Sequence, residues 1–234
     1  MKTILIVEDD PGIRRFLSVN LNKRDFRVWE AQDGDEALMM MREQMPDLAV
    51  VDLILPEVDG VSVCEWIRAR SDMPIIVISA QDKEEEKVRA LDVGADDFVT
   101  KPFGIEELLA RIRAVDRRMT GAMQIEEPAR IDLNGLEVDT KARRIYIDGE
   151  DTRLTRTEFA LIIELARNHD RILNHNHLLM KVWGPEYRGS THYLHVYLGR
   201  IRTKLKHYAH RLETISGVGY ILHSEDQPHV TEVR

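Results

Sequence analysis

Cysteine is almost missing from these 234 residues: Cys64 stands alone, which excludes an intrachain disulfide and a cysteine-built zinc site. Long apolar runs are missing too. The longest, around Pro74 to Ala80, is only strand-sized, far short of a membrane span. Met1-Lys2-Thr3 leads directly into a strand pattern and not into a secretory signal, so a leader is not expected. The expected location is therefore the cytoplasm, with no membrane partner. Histidine is absent before His169, and no internal repeat appears. Acid is absent from Tyr187 through Leu212, a stretch that carries Arg188, Arg200, Arg202, Lys204, Lys206 and Arg211.

These absences point to two differently composed units. The formal charge of −8 belongs to the first: residues 1–118 hold 17 Lys+Arg against 25 Asp+Glu, whereas residues 119–234 hold 16 of each. Local charge placement decides whether a surface attracts phosphates, so the acid-free stretch suits a nucleic acid despite the acidic total.

The first half alternates strand and helix patterns. Apolar runs at Thr3–Val7, Arg27–Trp29, Leu48–Val51, Ile75–Ile78 and Phe98–Val99 alternate with segments of helical spacing, such as Ile13, Phe16, Leu17 and Leu21. Five strands alternating with five helices predict a parallel sheet with helices on both faces. Residues 119–129, with Gly121 and Pro128, read as a linker. Beyond it, Ile131–Val138 and Arg143–Ile147 read as strands, and Asp148-Gly149 as a turn. Thr155-Arg156-Thr157-Glu158 is a capping box that starts a helix. Further helices are expected near Leu178–Val182 and Thr191–Lys206, with a hairpin over Ile215–Leu222. The polar residues 224–234 are expected to be disordered.

In an open parallel sheet, ligands bind beyond the carboxyl ends of the strands. The residues there are Glu8, Asp9 and Asp10 after the first strand, Asp52 after the third, Ser79 after the fourth and Lys101 after the fifth. Taken singly, such acids are most often solvated caps. Together they form a chemistry: clustered carboxylates suit Mg²⁺, a carboxylate can attack a phosphoryl group, and a hydroxyl and an ammonium can hold the new phosphoryl oxygens.

Residues 1–118 resemble a response-regulator receiver domain. The likeness rests on Ile4-Leu5-Ile6-Val7-Glu8-Asp9-Asp10, Val51-Asp52-Leu53-Ile54-Leu55-Pro56, Ile78-Ser79-Ala80, Gly94-Ala95-Asp96-Asp97-Phe98 and Lys101-Pro102-Phe103. It implies strand order 2-1-3-4-5 and Asp52 as phosphoacceptor. It implies Mg²⁺ held by Asp9, Glu8, Asp52 and the Ile54 carbonyl, and a switch formed by Ser79, Phe98 and Lys101 with a cis Lys101–Pro102 bond. Ser79 stands where threonine is more usual in the family, and Phe98 where this subfamily usually has tyrosine. The charged segment from Lys87 to Arg118 is similar to the surface through which OmpR/PhoB-type regulators dimerise. That likeness implies intersubunit pairs of Lys87 with Glu107 and of Asp97 with Arg111.

The helix expected over Thr191–Lys206 carries Leu194, Leu198, Ile201 and Leu205 as one buried stripe. Residues 130–223 resemble the OmpR/PhoB-type α+β winged-helix effector in Leu154-Thr155-Arg156-Thr157-Glu158-Phe159, Val182-Trp183-Gly184, Val196 to Leu205 and Gly217-Val218-Gly219-Tyr220. The short pieces Trp183-Gly184-Pro185 and His192-Tyr193-Leu194 look closest to KdpE-type regulators of potassium-transport genes. By resemblance, this helix is the recognition helix, with His192, Tyr193, Val196 and Tyr197 facing bases and Arg200 and Arg202 on phosphates. The turn at Gly217–Gly219 would be the wing, without the arginines that relatives carry near Ser216 and Ile221.

The expected protein is thus a two-component regulator, phosphorylated on Asp52 by a sensor histidine kinase, dimerising through its receiver and regulating transcription from promoter DNA. RNA polymerase is a further candidate partner. It is expected not to be an enzyme, beyond slow autodephosphorylation at most. Two rivals, an enzyme on the same α/β scaffold and a phosphorylation-independent DNA-binding protein, fit less well. A haloacid-dehalogenase-type phosphatase wants a second acid where Ile54 stands, and a dinucleotide enzyme wants a glycine-rich first turn where Glu8-Asp9-Asp10 stands. A phosphorylation-independent DNA-binding protein would not need the intact acid, serine and lysine set.

Overall fold

β-Branched and aliphatic runs build the sheet of the first half, and their burial on both faces is what a parallel arrangement requires. The computed structural model describes residues 1–80, 84–120 and 129–226. The chain divides into two units, Met1–Arg117 and Arg118–Arg234.

In the first unit the strands are β1 (Thr3–Val7), β2 (Arg27–Ala31), β3 (Leu48–Asp52), β4 (Ile75–Ser79) and β5 (Asp97–Thr100). They lie parallel in the order β2-β1-β3-β4-β5. Between and after them run α1 (Pro11–Asn22), α2 (Gly34–Glu43), α3 (Gly60–Arg68), α4 (Glu84–Asp92) and α5 (Ile105–Thr120). Aspartates cap three of these helices. Asp10 accepts from the amides of Gly12 and Ile13 ahead of Pro11, Asp33 from that of Glu36, and Asp59 from that of Ser62. Every residue of β3 and β4 is buried.

A part-buried cation, Arg68, ties α3 to the sheet. Arg68 donates to Gly94 O at 2.7 Å and to Asp96 Oδ2 at 2.5 Å, and it also reaches Met73 O. Asp96, which read as part of a surface charge network, is therefore an interior partner. Cys64 is buried, and burial pushes its thiol up to about 12, so it carries no thiolate chemistry.

Helix α5 continues to Thr120, past the expected start of the linker at Met119; residues 121–128 lie outside those described. The second unit opens with an antiparallel sheet, β6 (Arg130–Leu133), β7 (Leu136–Asp139), β8 (Arg144–Ile147) and β9 (Glu150–Thr152). The expected single strand Ile131–Val138 is in fact a hairpin. Asn134 and Gly135 both take positive φ, 47° and 93°, and turn the chain between β6 and β7. Asn-Gly is the strongest short-range hairpin signal, and it outweighs the apolar pattern that runs across it.

Three helices follow, α6 (Arg156–Arg167), α7 (His175–Val182) and α8 (Thr191–Leu205), with a three-stranded sheet of order β10-β12-β11. Its strands are β10 (Leu173–Asn174), β11 (Leu212–Ile215) and β12 (Gly219–Leu222). The capping box at Thr155 is formed in both directions. Its Glu158 is buried and also takes Lys204 Nζ at 2.6 Å, pinning α8 to the start of α6.

The polar end of the chain is held further than its composition predicts. Asp170 accepts from the amide and hydroxyl of Ser224, and Asp226 bonds the buried Arg211 at 2.6 Å. Residues 227–234 lie outside those described.

Candidate functional site

Strand ends place the acidic cluster. β1 and β3 are adjacent and parallel, so Glu8, directly after Val7, meets Asp52 at the end of β3. β4 and β5 are likewise adjacent, with Ser79 opposite Thr100, which brings Lys101 to the same edge. Glu8 is 0% exposed and Asp52 4%, while Asp9 faces solvent. Among the described residues, Glu8, Asp9 and Asp52 are the one set of three acids, histidines or cysteines whose ligand atoms lie within 4.8 Å of one another.

Lys101 reaches across this cluster. Its ammonium donates to Asp52 Oδ2 and, at 2.8 Å, to Glu8 Oε1. Asp52 Oδ1 accepts from the Ile54 amide at 2.9 Å, which fixes the carboxylate. Burial raises the Glu8 pKa and the neighbouring Asp52 charge adds to it; the Lys101 hydrogen bond opposes both. For Lys101, burial works against the charge, but its bonds to Asp52 and Glu8 outweigh this and raise its pKa. Ser79 is buried beside the site, and its carbonyl accepts from the Lys101 amide at 2.7 Å. The Lys101–Pro102 peptide bond is cis.

Two supporting residues escape a reading of the sequence. Arg14 donates to the carbonyls of Glu8 and Asp9, holding the acidic loop. Gly60 lets α3 start against β3: a Cβ there would collide with Asp52 O and Leu53 Cα. The Asp59-Gly60 pair marks a helix start, but nothing local in it says which backbone lies opposite.

Phe98 is buried on β5, with the Lys87 ammonium 5.4 Å from its ring centre, a cation–π distance. Arg111 lies 3.4 Å from the buried Asp97 and 3.6 Å from Glu107, one turn away on α5. The Asp97–Arg111 pair expected between subunits is thus already made within one chain.

The face expected to meet bases needs correcting. Tyr193, Val196 and Tyr197 are 2%, 8% and 1% exposed. The two tyrosines pack on Trp183 at 5.6 and 5.3 Å between ring centres, and Tyr193 meets Tyr187 edge-on at 5.3 Å. Aromatic packing of this kind takes them into the core. Arg202 is also engaged, donating to Leu212 O at 2.8 and 2.9 Å and to Thr214 Oγ1 at 2.7 Å. His192 is half-buried against Tyr193. Arg200 stacks over Tyr197 and keeps Nη2 without a hydrogen-bond partner among the described residues. At the wing, Ser216, Gly217 and Val218 are exposed and Ile221 is buried. A polar cleft of about 560 Å³ lies between Asn174, His177, Arg188 and Val218.

Residues 4–113 match the family model "Response regulator receiver domain", and residues 149–222 match "Transcriptional regulatory protein, C terminal". The transcriptional regulatory protein KdpE of Mycobacterium tuberculosis is 42% identical over 224 residues, 94% of this chain and 98% of the relative. The chain belongs to the OmpR/PhoB-type response regulators. The response regulator ArlR of Staphylococcus aureus is 38% identical over 226 residues, 95% of this chain and 100% of ArlR. A solved structure of a RitR mutant superposes with a TM-score of 0.74 at 27% identity, covering 95% of this chain and 99% of that one. A receiver followed by a transcriptional regulatory domain implies a histidine kinase and DNA as partners. Among the described residues, no helix of this response regulator is long and apolar enough to cross a membrane.

Proposed function

We propose that this response regulator takes a phosphoryl group from a sensor histidine kinase onto Asp52 and, so modified, dimerises through its receiver and binds promoter DNA. In the transfer, Asp52 Oδ attacks phosphorus, the P–N bond of the kinase phosphohistidine breaks, and the released imidazole nitrogen is protonated by solvent. Asp52 is suited to this because it is almost wholly buried and bonded by Lys101, and an ammonium beside a buried carboxylate stabilises added negative charge better than one in water. Lys101 then bonds the phosphoryl oxygens that replace its bond to the bare carboxylate, and the Ser79 hydroxyl turns toward the same group.

The pocket fits Mg²⁺. Glu8 Oε2 is buried without a well-aligned hydrogen bond although it lies 2.8 Å from Lys101 Nζ, and the donor set is all carboxylate oxygen. Glu8, Asp9 and Asp52, with the Ile54 carbonyl, would hold the ion, which when bound supplies positive charge against the phosphoryl oxygens. The product acyl phosphate is a signal, so no turnover beyond slow autodephosphorylation is expected.

The observation that carries this reading is the Lys101 ammonium bonded at once to Asp52 and Glu8. Dimerisation would use the α4–β5–α5 face, with Lys87 leaving Phe98 to pair with Glu107 of a second copy and Asp97 meeting a second Arg111. Potassium-transport genes are the first regulon to test, given the resemblance to KdpE, and RNA polymerase is the natural recipient of the bound dimer. Light scattering of the full chain with Mg²⁺ tests the coupling. Beryllofluoride should double the mass of the wild type and leave Asp52→Asn monomeric; equal masses for the wild type with and without it would refute it.

A further inference from the structure

With Tyr193, Val196 and Tyr197 buried, α8 presents a different ridge to solvent. His195, Gly199 and Thr203 are exposed at successive four-residue steps, which places them in line along one face. Gly199 is the odd member. Its φ is not positive, α8 runs unbroken through it, and a Cβ added there would meet nothing within 4 Å. Neither of the usual reasons for glycine within the molecule, a left-handed backbone or a crowded neighbour, applies. Glycine is a poor residue for a helix interior, so alanine would stabilise α8 and fit it freely. Thr203 even turns its hydroxyl back to Gly199 O at 3.2 Å. What remains is close approach by something other than the described residues of this unit. The acid-free run from Tyr187 to Leu212 favours a polyanion for that role.

We propose that Gly199 is the point of closest approach between α8 and duplex DNA, a notch between His195 and Thr203 that admits a base edge in the major groove. Resting on the DNA-binding reading above, this makes Gly199 a specificity-determining position, although it has no side chain to donate or accept. The helix can enter more deeply there, and a methyl group would hold it off.

The test uses the full chain, a duplex selected by the wild type from a random library, and an unrelated duplex of equal length. Gly199→Ala should bind the selected duplex about tenfold more weakly, on the order of one mismatched base pair, with an unchanged salt slope. Its Tm should rise by a few degrees. Gly104→Ala, whose added Cβ also meets nothing, should leave binding to both duplexes unchanged. Repeating the selection with Gly199→Ala should return a sequence altered at a single step. Wild-type affinity of Gly199→Ala for the selected duplex, or an equal loss on both duplexes, would overturn the proposal alone. A lowered Tm would do so too, since the notch would then be filled from within. A wild-type chain that selects no sequence would overturn the DNA-binding reading with it.

Discussion

The acidic pocket at the sheet edge and the outer face of α8 are both predicted from residue pattern, yet only the pocket brings its residues together where that pattern places them. At the sheet edge, position follows from topology: residues after β1, β3, β4 and β5 must converge, whatever their neighbours do. On α8, position follows from amphipathicity, and the helix is covered on more than one side. The leucine and isoleucine stripe was visible, but the tyrosines that widen it look polar enough for a surface. An aromatic side chain with a hydroxyl is therefore a weak guide to which face of a helix is free.

That contrast can be broken most forcefully at Tyr197. Tyr197→Ala should cost about 3–5 kcal/mol of effector stability in urea or guanidinium unfolding, as large aromatic truncations in cores do. His195→Ala on the exposed ridge should stay within about 0.5 kcal/mol and weaken DNA binding instead. Equal and small stability changes would return Tyr197 to the surface.

Arg202 sharpens the comparison. Its bonds to Leu212 O and Thr214 make it a brace between α8 and β11. Arg202→Ala should destabilise the effector by about 1–2 kcal/mol while leaving the slope of log K against log salt concentration unchanged. A slope shallower by about one would assign it to a phosphate instead.

The smallest effect is expected at Asp170, in the half whose end seemed loose. The Ser224 hydroxyl and amide, then His169, hold its carboxyl down to about 2 from an ordinary 3.8. A depressed carboxylate contributes stability above its ordinary value and loses it as pH falls through the folded one. Wild type should therefore exceed Asp170→Asn slightly in Tm at pH 6, and the gap should close between about pH 3.8 and 2. A gap that persists below pH 2 would assign the effect to packing.

Much of the fold was legible. β-Branched runs marked the parallel strands, and Thr155 with Glu158 marked the start of α6. The hairpin at Asn134-Gly135 was also written plainly, but an apolar run on both sides masked it. In the pocket, Glu8, Asp9, Asp52, Ser79 and Lys101 could be found because their residue types carry the chemistry. Arg14 and Gly60 could not, since one acts through backbone carbonyls and the other through an absent side chain. The charge network near α5 misled for a related reason: charge pattern does not reveal that Asp96 and Asp97 point inward, where Arg68 and Arg111 meet them.

Chemical mapping of the phosphorylated carboxylate tests the central claim most directly. The full chain, treated with acetyl phosphate and Mg²⁺, reduced with borohydride and digested, should show homoserine in place of Asp52 and at no other acid. The conversion should vanish when EDTA replaces Mg²⁺. Reduction of Asp9, Asp10 or a surface carboxylate in preference to Asp52, or none at all in folded protein, would contradict the account.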